Sequence, residues 1–259
     1  MKYLISIFIF LCVSLIVLGL FVGVPKTNGI PNIHTITPHM YDNAAISVEN
    51  IHITVLYFVP KDSESVVVSS WKEDTTKHIK NLLEFHALQF QNTSKITYEF
   101  LPTYTLAEKN KIAYEGSLEV AEDYDALIPI KEEISKRLLS KDGDLYAYNN
   151  TTKNNKDGVR NVYLVVFEGR GAAGNGDFAL VSRSYLTNKE YSAIGSTFLS
   201  HEFYHTLGVP DNYKSSIVER EDKSQSRTSL ITKKDIMGQV NIPLSSTYID
   251  METLRNMGM

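Results

Sequence analysis

Side chains that bind metal ions are concentrated in one short segment of the chain. It contains, in this order, His201, Glu202, His205, Gly208 and Asp211. Residues four apart on an α-helix lie on one face, so the imidazoles of His201 and His205 can converge on one ion, with Glu202 beside them. This spacing predicts the metal centre of a zinc hydrolase. The alternative is a surface helix whose histidines simply meet solvent.

The residues after His205 indicate how the chain brings a third ligand to the ion. Gly208 can leave a helix in the left-handed conformation at little cost, and Pro210 prevents the helix from continuing. After this reversal the chain passes back under the metal, so we expect the Asp211 carboxylate to be the third ligand. A fourth position is then left open for water.

The extended pattern HExxHxxGxxD resembles that of metzincin-like zinc peptidases whose third ligand is aspartate, namely the immune inhibitor A type and the snapalysin type. The segment Asp235–Gly238, with Met237 at its centre, is similar to the methionine turn that forms an apolar floor beneath the zinc in such enzymes. The resemblance covers about residues 198 to 240. It implies a zincin architecture and hydrolysis of peptide bonds.

Two features depart from the wider metzincin pattern. The third ligand is an aspartate where most metzincins have histidine, and residue 239 is not the tyrosine that serves some families as an extra ligand. Tyr213 and Tyr248 are candidate oxyanion donors; the alternative for each is ordinary packing with a solvated hydroxyl.

The expected chemistry follows from the ion. Zinc lowers the pKa of bound water from about 15.7 toward 7, and a neighbouring carboxylate can accept its proton as the water attacks a carbonyl carbon. Glu202 is the candidate base, which predicts a zinc-dependent endopeptidase acting on protein or peptide substrates. The alternative is a catalytically inactive, zinc-stabilised binding or adhesion module outside the cytoplasm. Such a module needs the zinc ligands but no carboxylate at position 202.

Alternating strands and helices must position this centre. The patterns predict strands at Ile51–Val59, Ile96–Phe100, Val162–Phe167 and Phe178–Ser184. They predict helices at Trp71–Gln91, at Asp125–Leu139 and from about Ser246, while Thr187 and Glu190 have the spacing of a capping box before the active-site helix. The expected fold is α/β of the α+β zincin type, a twisted mixed sheet with backing helices, an active-site helix and a C-terminal helix. The polar stretches 141–158 and 215–229 are expected to be loops.

The amino-terminal part predicts contact with a membrane. Leu4–Val24 is an uncharged apolar run of about 20 residues, enough to cross a bilayer core of roughly 30 Å. We therefore expect residues 1–27 to be a membrane anchor or signal segment, 28–50 a connector and 51–259 the zinc peptidase domain. The domain would lie outside the cytoplasm, either anchored or secreted after cleavage. The one cysteine, Cys12, lies within the run, so no disulfide can form in the domain.

Other functions find little support in the sequence. The net charge of −4 offers no basic surface for nucleic acid. The glycines of Gly169–Gly174 imitate a dinucleotide-binding turn, but a strand pattern follows where a helix is required. We therefore expect a flexible loop beside an edge strand, where an extended peptide could add itself, and no nucleotide cofactor. His52, His78 and His86 are expected to be structural or surface residues, the last two on the polar side of a helix.

Overall fold

The computed structural model describes residues 36–115, 124–139, 158–212, 234–238 and 240–259. The predicted anchor, the first part of the connector, Tyr213 and most of both polar stretches lie outside the described residues. Among the residues that are described, no helix combines the length and apolar character needed to span a bilayer.

The described residues form a mixed α/β fold. The strands are β1 (Asn50–Val59), β2 (Lys95–Phe100), β3 (Thr105–Leu106), β4 (Arg160–Phe167), β5 (Ala172–Asn175) and β6 (Phe178–Ser182). The α-helices are α1 (Trp71–Gln89), α2 (Ile112–Glu115), α3 (Tyr124–Arg137), α4 (Arg183–Thr187), α5 (Gly195–His205) and α6 (Met251–Asn256). Short 3₁₀ segments occupy Lys61–Val66, Lys189–Tyr191 and Leu244–Ser246.

The strands form one six-stranded sheet in the order β2-β1-β4-β6-β5, with β3 pairing β1. All pairs are parallel except β5 with β6, in which Ala173 lies opposite Leu180. Strands β1 and β4 are almost entirely buried. Their continuous apolar sequences follow from this position, because helices cover both faces of a parallel sheet.

Each face of the sheet has its own core. On one face, side chains such as Ile53, Val55 and Leu164 pack with residues of α1 and α5. On the other face, Leu56, Phe58 and Val165 pack with the apolar side of α3. The active-site helix α5 is therefore held between the sheet and α1, a position that buries most of its residues.

Part of the predicted connector packs onto this core. Met40 and Val48 are buried within it, and the backbone N–H of Tyr41 donates to the carbonyl of Leu207 at 3.0 Å. Residues 36–50 thus contact the exit of the active-site helix, and the second half of the 28–50 segment folds with the domain.

The expected fold class is confirmed, and the predicted strands and helices of the first half are found within a few residues of their expected bounds. Two predictions at helix starts were wrong. The C-terminal helix begins at Met251, because the Asp250 side chain accepts hydrogen bonds from the backbone of Glu252 and Thr253. Thr187 closes α4 and does not cap the active-site helix, whose N-cap is Ile194.

Candidate metal centre

Helix α5 presents the two histidines of the motif side by side. His201 is 2% exposed and Glu202 6% exposed, and Leu199 and Phe203 of the same helix belong to the core. The imidazole rings of His201 and His205 are 4.7 Å apart between centroids and nearly perpendicular. The four-residue spacing therefore brings both rings to one place, as the sequence predicts.

The chain leaves this helix at Gly208, which has a φ of +80°. The N–H of Gly208 donates to the His205 carbonyl at 3.1 Å, and the N–H of Val209 donates to the Tyr204 carbonyl at 3.3 Å. A Cβ at Gly208 would overlap the Asp42 carboxylate. The predicted left-handed exit is thus present, and it returns the chain toward the histidines.

Asp211 completes a group of three potential ligands. The Nε2 atoms of His201 and His205 are 3.1 Å apart, and Asp211 Oδ1 lies 3.2 Å from the first and 3.3 Å from the second. Ligands held about 2.0–2.1 Å from a tetrahedral zinc ion are about 3.3–3.4 Å from one another. The three atoms therefore have nearly the separations that one face of a zinc tetrahedron requires, and they form a candidate metal site.

Hydrogen bonds fix which nitrogen of each ring faces the site. His201 Nδ1 donates to the carbonyl of Ile236 at 2.9 Å, and His205 Nδ1 donates to the carbonyl of Val209 at 2.8 Å. A carbonyl can only accept, so each neutral ring carries its proton on Nδ1 and directs the Nε2 lone pair into the site. Two lone pairs and a carboxylate oxygen at these distances fit a cation, and this donor set suits zinc.

The electrostatics of the group agree with this assignment. Partial burial by itself would raise the pKa of Asp211, but the neighbouring His201 and His205 side chains hold that pKa well below its usual range. Burial opposes the charged form of His201, yet the Asp211 carboxylate, the charge of Glu202 and the Ile236 carbonyl together raise its pKa above the ordinary value. The site therefore stabilises positive charge between these side chains.

Met237 lies in a buried turn next to the histidines. It is fully enclosed with Ile236 in the core that also contains α5, and the Ile236 carbonyl is the acceptor for His201. The turn forms a parallel bridge with Tyr248: the Ile236 N–H donates to the Tyr248 carbonyl at 2.8 Å, and the Tyr248 N–H donates to the Lys234 carbonyl at 3.0 Å. The role of Met237 as an apolar floor stays a prediction.

The oxyanion role of the tyrosines also stays a prediction. The Tyr248 side chain is 40% exposed beside this turn, and Tyr213 lies outside the described residues.

The glycine-rich segment differs from the flexible loop that the sequence suggests. The Ser182 hydroxyl donates to the Gly169 carbonyl, the Ser182 N–H donates to the Gly171 carbonyl at 2.8 Å, and the Arg170 N–H donates to Glu115 at 2.6 Å. Gly174 belongs to β5, which pairs with β6. The segment is thus a tied turn leading into a strand, and no helix follows it for a dinucleotide phosphate.

His78 and His86 are buried and not on a polar surface, which corrects the expectation for that side of α1. His78 contacts Ser196 Oγ at 2.9 Å and donates to the Leu186 carbonyl at 2.8 Å. His86 contacts Ser94 at 2.7 Å and Tyr204 at 3.2 Å. Both histidines therefore connect helix α1 to helix α5. The sequence signal available was their spacing, since positions 78 and 86 share a helix face with the apolar residues at 79, 82 and 85.

Asn212 is a further site residue that the sequence reasoning missed. Its side chain bridges Asp235 and Asp250, at 2.8 and 3.0 Å. It directly follows the third candidate ligand in the chain, and that adjacency was the only signal available in the sequence.

The sequence matches no known protein family and no curated protein. Solved structures similar to the chain include metalloproteinase-II from Bacteroides fragilis, with 13% identity over 81% of this chain and 53% of that protein, at a TM-score of 0.42. Another is catalytically inactive OgpA from Akkermansia muciniphila in complex with an O-glycopeptide (glycodrosocin) substrate, with 13% identity over 81% of this chain and 59% of OgpA, at a TM-score of 0.42. The chain spans less than two thirds of either protein.

Proposed function

We propose that this chain is a zinc-dependent endopeptidase. One observation carries the proposal: His201 Nε2, His205 Nε2 and Asp211 Oδ1 lie within 3.3 Å of one another, and the adjoining residue Glu202 is buried and acts electrostatically on His201. The resemblance of the HExxHxxGxxD segment to aspartate-ligated zinc peptidases points to the same activity.

His201, His205 and Asp211 would hold the metal. Bound zinc supplies Lewis acidity, which makes water a nucleophile near neutral pH and stabilises negative charge on a substrate carbonyl. Glu202 would accept the proton of the attacking water; this role is supported by its place next to His201 on α5 and by the action of its charge on that imidazole. The same carboxyl group then donates this proton to the leaving amine.

The edge of the sheet offers a place for the substrate backbone. Strand β5 is the last strand on its side of the sheet in the described part of the chain, and Gly174 lies against the backbone of Glu202. An extended peptide that pairs with β5 as an added strand would pass directly in front of the active-site helix.

The burial of Glu202 favours the enzyme over the alternative, a zinc-stabilised binding module. Removing a carboxylate from water costs free energy, and structural zinc sites are almost always closed by four protein ligands, whereas the described residues offer three. A general base does require a carboxylate beside the metal. The position of Glu202 next to His201 therefore supports an enzyme over a purely structural zinc site.

The test is cleavage of an unfolded protein by the full chain in detergent, with metal content measured on the same samples. We expect one zinc per chain, inhibition by a chelator and recovery on adding zinc. Glu202→Gln should retain the metal and lose about 10²–10⁴-fold in kcat, the usual contribution of a general base. Equal cleavage by this variant and the wild type would exclude Glu202 as the base, and absence of zinc from the wild type would refute the proposal.

A further inference from the structure

We propose that Asn212 is a positioning residue, which holds the third metal ligand Asp211 against the turn that also orients His201. This inference rests on the metal centre of the proposed function. It concerns a residue that is not itself a ligand and that adjoins one only along the chain.

The backbone of Asn212 fixes the peptide that follows the ligand. Its N–H donates to the carbonyl of Met237 at 2.8 Å, and this N–H belongs to the same peptide group as the carbonyl of Asp211. The Asp211 side chain is 44% exposed and so receives little packing to hold it in place. This backbone hydrogen bond therefore fixes the peptide group next to the Cα of Asp211, from which the carboxylate side chain extends.

The side chain of Asn212 forms a second attachment. Its Nδ2 lies 2.8 Å from Asp235 Oδ2 and 3.0 Å from Asp250 Oδ2. A primary amide carries two hydrogens on this nitrogen, so it can donate to both carboxylates at once. A serine or threonine hydroxyl could donate to only one of them, and an aspartate would place a third negative charge between two others.

Both carboxylates are themselves fixed. Asp235 is 1% exposed, and its other oxygen accepts from the Met237 N–H at 3.3 Å. The other oxygen of Asp250 accepts from the backbone of Glu252 at 2.7 Å and of Thr253 at 3.0 Å, at the start of α6. Asn212 is thus attached to a buried turn and to a capped helix.

The same turn also orients a second candidate ligand, His201. The Ile236 carbonyl accepts from His201 Nδ1 at 2.9 Å, whereas His205 is held locally through Val209. Residues 235–237 therefore orient His201 directly and Asp211 through Asn212. Loss of the Asn212 side-chain contacts, with the backbone bond to Met237 kept, should loosen Asp211 and leave the two imidazoles in place.

The test is the zinc affinity of the full chain, measured by competition with a chromogenic chelator. Asn212→Leu should weaken zinc binding about 10–100-fold, the range found when supporting hydrogen bonds of metal sites are removed. Its cobalt-substituted form should show an altered visible absorption spectrum, because one carboxylate ligand is displaced. Asn256→Leu is the matched control: this exposed asparagine makes a 3.4 Å contact with the Tyr41 hydroxyl, and its replacement should leave both readouts unchanged.

A double-mutant cycle separates positioning from general loss of structure. In an Asp211→Ala background, Asn212→Leu should have no further effect on zinc affinity, because the ligand on which it acts is gone. An equal loss in both backgrounds would overturn the proposal, as would unchanged affinity and cobalt spectrum in Asn212→Leu alone. If the wild type binds zinc no better than His201→Ala, the metal centre and the proposed function fail, which is a different outcome from failure of the Asn212 inference.

Discussion

Gly174 of the edge strand lies directly against Glu202: a Cβ at Gly174 would overlap the Glu202 carbonyl oxygen and approach His205 Cβ to 2.6 Å. The strand and the helix α5 therefore pack too closely at this point to admit a side chain at position 174. In the proposed function, this helix carries two ligands and the base, so the spacing between strand and helix would also set the distance between a substrate paired with β5 and the metal.

We accordingly expect Gly174→Ala to push β5 and α5 apart. A displacement of about 1 Å between reacting groups can cost about 10²-fold in rate, so kcat/KM for a peptide should fall by about that factor while zinc remains bound. Ala173→Gly is the control, because it alters the same strand without adding an atom toward the helix. Wild-type kinetics in Gly174→Ala would show that displacement of α5 from β5 has no effect on kcat/KM.

Gly208 provides a second test, on stability. Its φ of +80° costs most residues with a Cβ about 1–2 kcal/mol, so Gly208→Ala should lower the free energy of unfolding by at least that amount. Gly208→Asn should cost less, because asparagine tolerates the left-handed region. Both variants are best compared in an Asp42→Ala background, which removes the overlapping carboxylate. Equal stability of all three residues at position 208, measured by urea unfolding, would contradict the argument.

His86 should make the protein sensitive to acid. Burial lowers the pKa of His86 from its ordinary 6.5 to about 3. The unfolded chain then binds a proton between these pH values that the folded chain does not, so stability is full above about pH 6.5 and declines toward pH 3. The decline attributable to this group is about 1.4 kcal/mol per pH unit.

His86→Gln removes this titration. Its urea-unfolding free energy should therefore change less between pH 7 and pH 5 than that of the wild type, even if it is lower at pH 7 through loss of the contacts with Ser94 and Tyr204. Identical pH dependence in the two proteins would exclude His86 as the sensitive group.

Metal removal should destabilise the fold. A ligand that binds only the folded state, present at 100 times its Kd, adds about 2.7 kcal/mol to the free energy of unfolding. A strong chelator should therefore lower the Tm of the wild type in scanning calorimetry. The double variant His205→Ala, Asp211→Ala lacks two of the three candidate ligands, so its Tm should not respond; an equal response would place the stabilising metal elsewhere.

The grouping of the three candidate ligands was predictable because its geometry is local. His201 and His205 are placed by helical periodicity, and Gly208 returns the chain to bring Asp211 within 3.3 Å of them. What supports them is not local. The acceptor for His201 is the carbonyl of Ile236, and a backbone group carries no mark in the sequence.

Strand β5 was missed for a related reason. Its sequence, Ala172-Ala173-Gly174-Asn175, has low strand propensity. Pairing with β6 and contact with α5 impose the extended conformation, so tertiary structure decides it. The burial of His78 and His86 likewise depends on partners far away in the chain, among them Ser196 and Tyr204. Residue type alone therefore suggested that His78 and His86 are exposed to solvent, whereas both are buried against helix α5.

The hydrogen bond between His201 and Ile236 couples the candidate metal site to the turn at 235–237. A cation on Nε2 draws electron density from the ring and makes its Nδ1–H a stronger donor. The stability of the turn at 235–237 and the affinity for the metal are then linked by one coupling free energy. A change that stabilises the turn through this bond should raise the affinity for the metal, and bound metal should stabilise the turn to the same extent. Amide hydrogen exchange in this turn, which contacts His201 at Nδ1, would thus report whether a metal is bound at Nε2, without any substrate present.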